Sequence, residues 1–156
     1  MTEGRQVTGL GVFETILENT PKIIENAEIE PSNEAIVREQ VRKILGYAFR
    51  DVVREISISK NLKTYRPDIG VTSLMAAAEY KFIDSKKDAK KALDEIYADM
   101  KGYKGASDWR SFYAVFYMTK SFYTQKDVEE EFRLVKAELS WTPMVMVGSG
   151  SRRTKS

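Results

Sequence analysis

Between Leu74 and Ile83 the chain reads Leu-Met-Ala-Ala-Ala-Glu-Tyr-Lys-Phe-Ile, a short run that is apolar at consecutive positions before two charges enter it. A strand that is apolar on both faces belongs in the middle of a sheet covered on both sides, so this run calls for layers of helix above and below. Side chains alternate along a strand, so Glu79 and Lys81 share one face and Tyr80 points to the other. An acid and a cation in the continuation of a buried strand are costly unless they have a task. Arg66-Pro67-Asp68 lies one short turn upstream and brings a second acid towards the same place.

The rest of the chain supplies the layers. Val12, Phe13, Ile16, Leu17, Ile23 and Ile24, interrupted by Thr20-Pro21, read as two short helices, with Thr20 as N-cap and Pro21 at the first helical position. Val37, Val41, Ile44, Leu45, Ala48, Phe49, Val52 and Ile56 recur at three- and four-residue spacing and predict one long amphipathic helix over about 33–56. After it, Leu62 to Asp68 reads as a strand, Ile69 to Ser73 as a turn and Leu74 to Ile83 as a second strand of a hairpin. Ser85-Lys86-Lys87-Asp88 has the form of a capping box ahead of a helix marked by Ala89, Leu93, Ile96, Met100 and Tyr103. Phe112 to Met118 is an aromatic and β-branched strand buried on both faces. Thr124 to Asp127 repeats the capping pattern before a helix with Val128, Phe132, Val135 and Leu139, and Thr142 to Val147 is a last strand. This order predicts an α/β fold with three layers, α/β/α, around a mixed sheet.

At 156 residues and 42% hydrophobic content the chain fits one core. It has no cysteine and no histidine, which excludes disulfides, thiolate zinc sites and a histidine general base. Any hydrolytic chemistry has to rest on carboxylates, lysine, tyrosine or hydroxyls. A net charge of +2, from 25 basic and 23 acidic residues, does not by itself point to nucleic acid. No membrane span or signal segment is legible, so the expected location is soluble and cytoplasmic.

Pro67-Asp68 with Glu79-Tyr80-Lys81 resembles the signature of the PD-(D/E)xK nuclease superfamily, whose core is a helix, a three-stranded meander, a helix and a further strand. The segment from Glu79 to Val147 is similar to the branch related to DpnII/MboI-type restriction endonucleases. In that branch the following helix carries Asp-x-x-x-Tyr, here Asp99 and Tyr103, and runs into an aromatic-rich strand, here Ser111 to Met118. The resemblance covers about 33–147. It divides the chain into a helical extension, 1–32, a nuclease-like domain, 33–147, and a disordered basic tail, 148–156.

The resemblance implies a restriction-endonuclease-like fold and a Mg²⁺-dependent endonuclease acting on DNA, with Mn²⁺ as a substitute. Asp68, Glu79 and the backbone carbonyl of Tyr80 would hold the metal, and Lys81 would orient or deprotonate the attacking water. Many members add a glutamate from the preceding helix. Glu34 falls on the stripe of Val37, Val41 and Leu45 and is preferred over Glu39, which falls almost opposite; an acid stabilising the helix dipole is the alternative for Glu34. Asp99 and Tyr103 would support the site from behind. Lys86, Lys87, Lys90 and Lys91 would track phosphates or else form a solvated face. The expected partner is DNA, with a homodimer or larger assembly left open. The role implied is a defence or restriction-type effector; a junction-resolvase-like repair nuclease and a catalytically inert binding module are the alternatives.

Overall fold

The computed structural model describes residues 8–53, 67–104, 109–136 and 141–152. Helices α1 (Gly9–Glu18), α2 (Thr20–Asn26) and α3 (Glu34–Ala48) come first. They are followed by β1 (Val52–Val53), β2 (Ile69–Val71), a 3₁₀ turn (Thr72–Leu74) and β3 (Ala76–Ile83). The chain then continues through α4 (Lys86–Tyr103), β4 (Ser111–Met118), α5 (Gln125–Leu134) and β5 (Trp141–Val147). The strands form one sheet in the order β1-β2-β3-β4-β5. β1, β2 and β3 pair antiparallel, whereas β3, β4 and β5 pair parallel, with α4 and α5 as the crossovers that parallel neighbours require.

Each face of the sheet has its own core. Ala76, Ala78, Tyr80 and Phe82 of β3 pack with Phe13, Leu17, Ile24, Val37, Val41 and Leu45 from the first three helices. Ala77 and Ile83 face the other way, among Ala89, Leu93, Ile96 and Phe132 of α4 and α5. The three-layer α/β/α arrangement and the mixed sheet expected from the sequence are therefore present. Phe13, Leu17 and Ile24 are fully buried, and each such side chain contributes about 1.5–3 kcal/mol of transfer free energy. A buried polar contact adds to this docking: the Thr20 hydroxyl donates to the Leu17 carbonyl at 2.6 Å and meets the Tyr80 hydroxyl at 2.8 Å. The cap of α2 is Asn19 rather than Thr20, with Pro21 in the first turn as expected.

Two local readings change. The predicted helix over 33–56 ends at Ala48, where Phe49 turns extended, and Val52-Val53 pair with Gly70 and Val71 instead. The apolar spacing carries on past the break because β-branched valines suit a strand as well as a helix face. Ile69 to Val71, expected within a turn, is strand β2; the reversal is made by the 3₁₀ turn and by Met75 in the left-handed region at φ 52. The predicted strand positions 62–66 and Ile56 lie outside the described residues, as does Leu139.

β2 pairs only with Ala76 to Ala78, while β3 continues to Ile83 beside β4. Among the described residues, half of the central strand thus has no strand partner on its β2 edge. At the far side of the sheet, the Gln125 side chain of α5 donates to the Pro143 carbonyl at 2.8 Å and accepts from the Val145 amide at 2.8 Å. Beyond β5, residues 148–152 fold back over the molecule instead of trailing off as a disordered tail; Arg153 to Ser156 lie outside the described residues.

Candidate active site

The site forms where β3 loses its β2 neighbour. Asp68, just before β2, accepts from the Tyr80 amide at 2.9 Å and from Arg38 Nη1 at 3.2 Å, and its own carbonyl accepts from Arg42 Nη2 at 2.7 Å. Glu34, in the first turn of α3, accepts from the Phe82 amide at 3.4 Å. Arg152 donates to the Phe82 carbonyl at 2.7 Å. Among the described residues, side chains therefore satisfy the backbone groups of this edge, as buried backbone polar groups require. The amide and carbonyl of one strand residue point to the same edge, so the Tyr80 carbonyl faces the side on which Asp68 sits.

Alternation then sorts the motif. The Tyr80 ring goes to the α1–α3 face and the Glu79 and Lys81 side chains go to the α4 face. Glu79 is 7% exposed, accepts from the Tyr103 hydroxyl at 3.0 Å, and lies within hydrogen-bond reach of Asp68. Burial pushes its carboxyl well above the ordinary carboxylate range, and the negative charge of Asp68 pushes it further the same way. The buried Glu79 carboxyl is thus the member of this group whose ionised form is disfavoured. Lys81 pairs with Glu95 of α4 at 3.3 Å. Burial alone pulls its ammonium down, but Glu34, Glu95, Asp99 and Asp68 outweigh that and raise it above the usual value. Lys81 is thus held as a cation among acids on the α4 face.

The remaining expected residues divide. Glu34 is at the site, its carboxyl raised by burial and partly lowered again by Lys81. Glu39 pairs with Arg42, the arginine that also donates to the Asp68 carbonyl, and makes no described contact with Glu79 or Lys81. Asp99 and Tyr103, one helical turn apart on α4, both face the acidic group; burial raises Asp99, offset in part by Lys81. The four lysines do not stay together. Lys91 lines a cavity beside Lys81, whereas Lys86 and Lys90 line a separate groove with Leu93, Tyr123, Glu130 and Glu131.

The donor set can be tested against a divalent ion. Among the described residues no three acidic side chains converge closely enough to cage one. Asp68, Glu79 and the Tyr80 carbonyl nevertheless offer hard oxygens, and Mg²⁺ is commonly bound through one or two carboxylates while keeping several waters. Glu79, buried and crowded by the negative charge of Asp68, has the chemistry that such a cation would relieve.

Arg38, Arg42 and Arg152 also reach the site without having been singled out for it, and Glu95, readable as part of a solvated acidic face of α4, pairs with Lys81 there. Glu34, Arg38 and Arg42 lie at four-residue steps beside the apolar stripe Val37, Val41 and Leu45, and that polar stripe was a readable signal. Asp88, Lys91, Glu95 and Asp99 form a similar stripe on α4 at steps of three, four and four residues. No comparable signal marks Arg152.

Comparison with known proteins agrees with this architecture. No curated protein and no solved structure matches the chain. One family model does, REase_DpnII-MboI, the DpnII-MboI restriction endonucleases, over residues 12–147. The match takes in both halves of the split motif, helix α4 behind it and most of α1 and all of α2 in front. With most of its length accounted for in this way, the chain belongs to the DpnII-MboI restriction endonuclease family.

Proposed function

We propose that the protein is a DNA endonuclease that depends on a divalent metal, with Mg²⁺ as the ion and Mn²⁺ as a substitute. The observation that carries this reading is the placement of Asp68 on the Tyr80 amide, next to the buried Glu79 in β3, with Lys81 on the same face as Glu79. Asp68, Glu79 and the Tyr80 carbonyl would hold the metal. When bound, such an ion stabilises charge on the scissile phosphate and lowers the pKa of a coordinated water. The protein's own part is positional. Arg38 and the Tyr80 amide fix Asp68, the Tyr103 hydroxyl fixes Glu79, and the strand fixes both relative to Lys81. Lys81, kept protonated by its acidic surroundings, orients the attacking water and offsets charge as it develops. Glu34 and Glu95 hold Lys81 in place, Asp99 supports it from behind, and Lys91 meets the DNA backbone.

Within this reading the role is restriction-type defence in the cytoplasm, and α1 and α2 are part of the nuclease domain rather than an appendage. The test is incubation of the protein with plasmid, branched and single-stranded substrates in Mg²⁺, Mn²⁺ or EDTA, alongside Asp68→Ala, Glu79→Ala and Lys81→Ala. Metal-dependent cutting of duplex, lost in all three folded variants, is the expected outcome. Cleavage in EDTA would remove the metal from the mechanism. Robust cleavage by folded Lys81→Ala protein would remove the lysine. A strict preference for branched DNA favours a resolvase, and binding without cleavage favours an inert module.

A further inference from the structure

Beyond the residues matched by the family model, the chain returns to the site along a route pinned at every step. The Gly148 amide donates to the Met118 carbonyl at 2.8 Å, the Tyr117 hydroxyl to the Ser149 carbonyl at 2.6 Å, and the Ser151 amide to the Pro31 carbonyl at 3.0 Å. Gly150 has φ 144, and a Cβ there would stand 2.7 Å from the Pro31 carbonyl oxygen, so this step is open only to glycine. The Arg152 amide then donates to Asp84 at 3.0 Å. The route delivers the Arg152 guanidinium over the Phe82 ring, its Cζ 5.0 Å from the centroid, with Nε on Asp88 at 3.0 Å and Nη2 on the Phe82 carbonyl.

This guanidinium lines a cavity of about 570 Å³ between the first turns of α3 and the outer face of α4. Arg38, Lys81, Lys91 and Arg152 contribute positive charge to its wall, against Glu34, Asp88 and Glu95. Asp88 is already engaged as acceptor for the Asp84 amide at 3.0 Å, and it neutralises Arg152 only in part. An arginine has five N–H donors, and the two described side-chain bonds leave the rest of the fork available on a side chain that is 42% exposed. A planar cation set over a ring and anchored at two points loses little freedom when it takes a third partner.

We propose that Arg152, with Lys91, forms a subsite for a backbone phosphate of DNA adjoining the one to be cut, on the Lys81 side of the acidic pair. This rests on the nuclease reading above. It adds an anchor supplied by the segment after β5, outside the part of the chain that defines the family.

The test is DNA binding to a short duplex in EDTA, so that no cutting occurs, measured across a range of salt for the full-length wild type, Arg152→Gln and Arg152→Lys, with thermal melts of each. Loss of one phosphate contact lowers the slope of log K against log salt by about 0.9. Arg152→Gln is expected to show that loss, and Arg152→Lys, which keeps the charge but not the fork, to retain the wild-type slope. DNA should also protect Arg152 of the wild type from phenylglyoxal, a readout that stands even if the glutamine variant does not fold. Unchanged slope in a folded Arg152→Gln protein, or modification of Arg152 at the same rate with and without DNA, would overturn the subsite. A lower melting temperature in both variants with no change in slope would reduce Arg152 to a structural latch. Wild type that neither binds nor cuts DNA would overturn the nuclease reading as well; cutting by the wild type together with either negative result above would overturn this inference alone.

Discussion

Tyr80 stands between the two charged residues of the motif, yet its ring serves the opposite face, and this separates its side chain from its backbone in a measurable way. Thr20 is fully buried and Tyr80 is 1% exposed. The single Thr20 hydroxyl proton goes to the Leu17 carbonyl, so Tyr80 is the donor in their 2.8 Å contact. Tyr80→Phe removes that bond and leaves Thr20 with its other partner, a cost of about 1 kcal/mol. Thr20→Val also strands the Tyr80 hydroxyl in an apolar interior and frees the Leu17 carbonyl, a cost of about 2 kcal/mol. With a melting shift of about 2–4 °C per kcal/mol for a domain of this size, the losses are about 2–4 °C and 4–8 °C. In the double variant no hydroxyl is stranded, so it should be no less stable than Thr20→Val, giving a coupling of about 1 kcal/mol. Because the carbonyl of residue 80 is unchanged, Tyr80→Phe should cleave DNA at the wild-type rate below its melting range. Melting curves for the four proteins and a cleavage assay decide the matter. Additive losses within about 0.3 kcal/mol would refute the contact, and a folded Tyr80→Phe protein without activity would refute the division of labour.

Mg²⁺ at tenfold excess over its Kd should stabilise the wild type by about 1.4 kcal/mol, a rise of roughly 3–6 °C in a thermal melt, and Asp68→Asn should abolish most of that rise. Salt-dependent DNA binding should lose about 0.9 in slope for Lys91→Gln, and none for Lys86→Gln, since the two lysines face different grooves. Burial, aided by Glu131, pushes the Tyr97 hydroxyl from 10.0 up to about 12. The folded state thus keeps a proton that the unfolded state gives up, so this stabilisation is complete below pH 10 and lost as pH rises towards 12. Denaturant titrations at pH 9, 10 and 11 should therefore show a shallower decline for Tyr97→Phe than for the wild type.

The pairing of Glu79 with Lys81 on one face was legible because strand parity is a local rule that needs only two residues and the strand between them. The three layers were legible for a similar reason, since β3 and β4 are apolar on both faces. The end of α3 was not. Nothing in the run from Val41 to Val52 says that residues near 70 will offer Val52 a strand partner, and apolar spacing is indifferent to that competition. Gly70 misled in the opposite sense, because it reads as a turn residue. It sits in β2, where an added Cβ would stand 2.6 Å from Cη2 of Trp109, so the glycine serves close packing rather than reversal. Glu34 could be placed from helix geometry alone, whereas the reach of Arg152 depends on a return path that polar, aperiodic sequence does not announce.

The treatment of β5 bears on how copies of this protein can come together. An edge strand usually invites another strand to join it. Here Pro143 has no amide to give, and its carbonyl and the Val145 amide are taken by one glutamine side chain from α5. Shared sheets built through the middle of that edge are closed to this fold. Any pairing of two copies, such as one that sets two cutting centres on opposite strands of a duplex, must therefore be sought away from that stretch of β5, and the crosslinks worth engineering lie elsewhere on the surface.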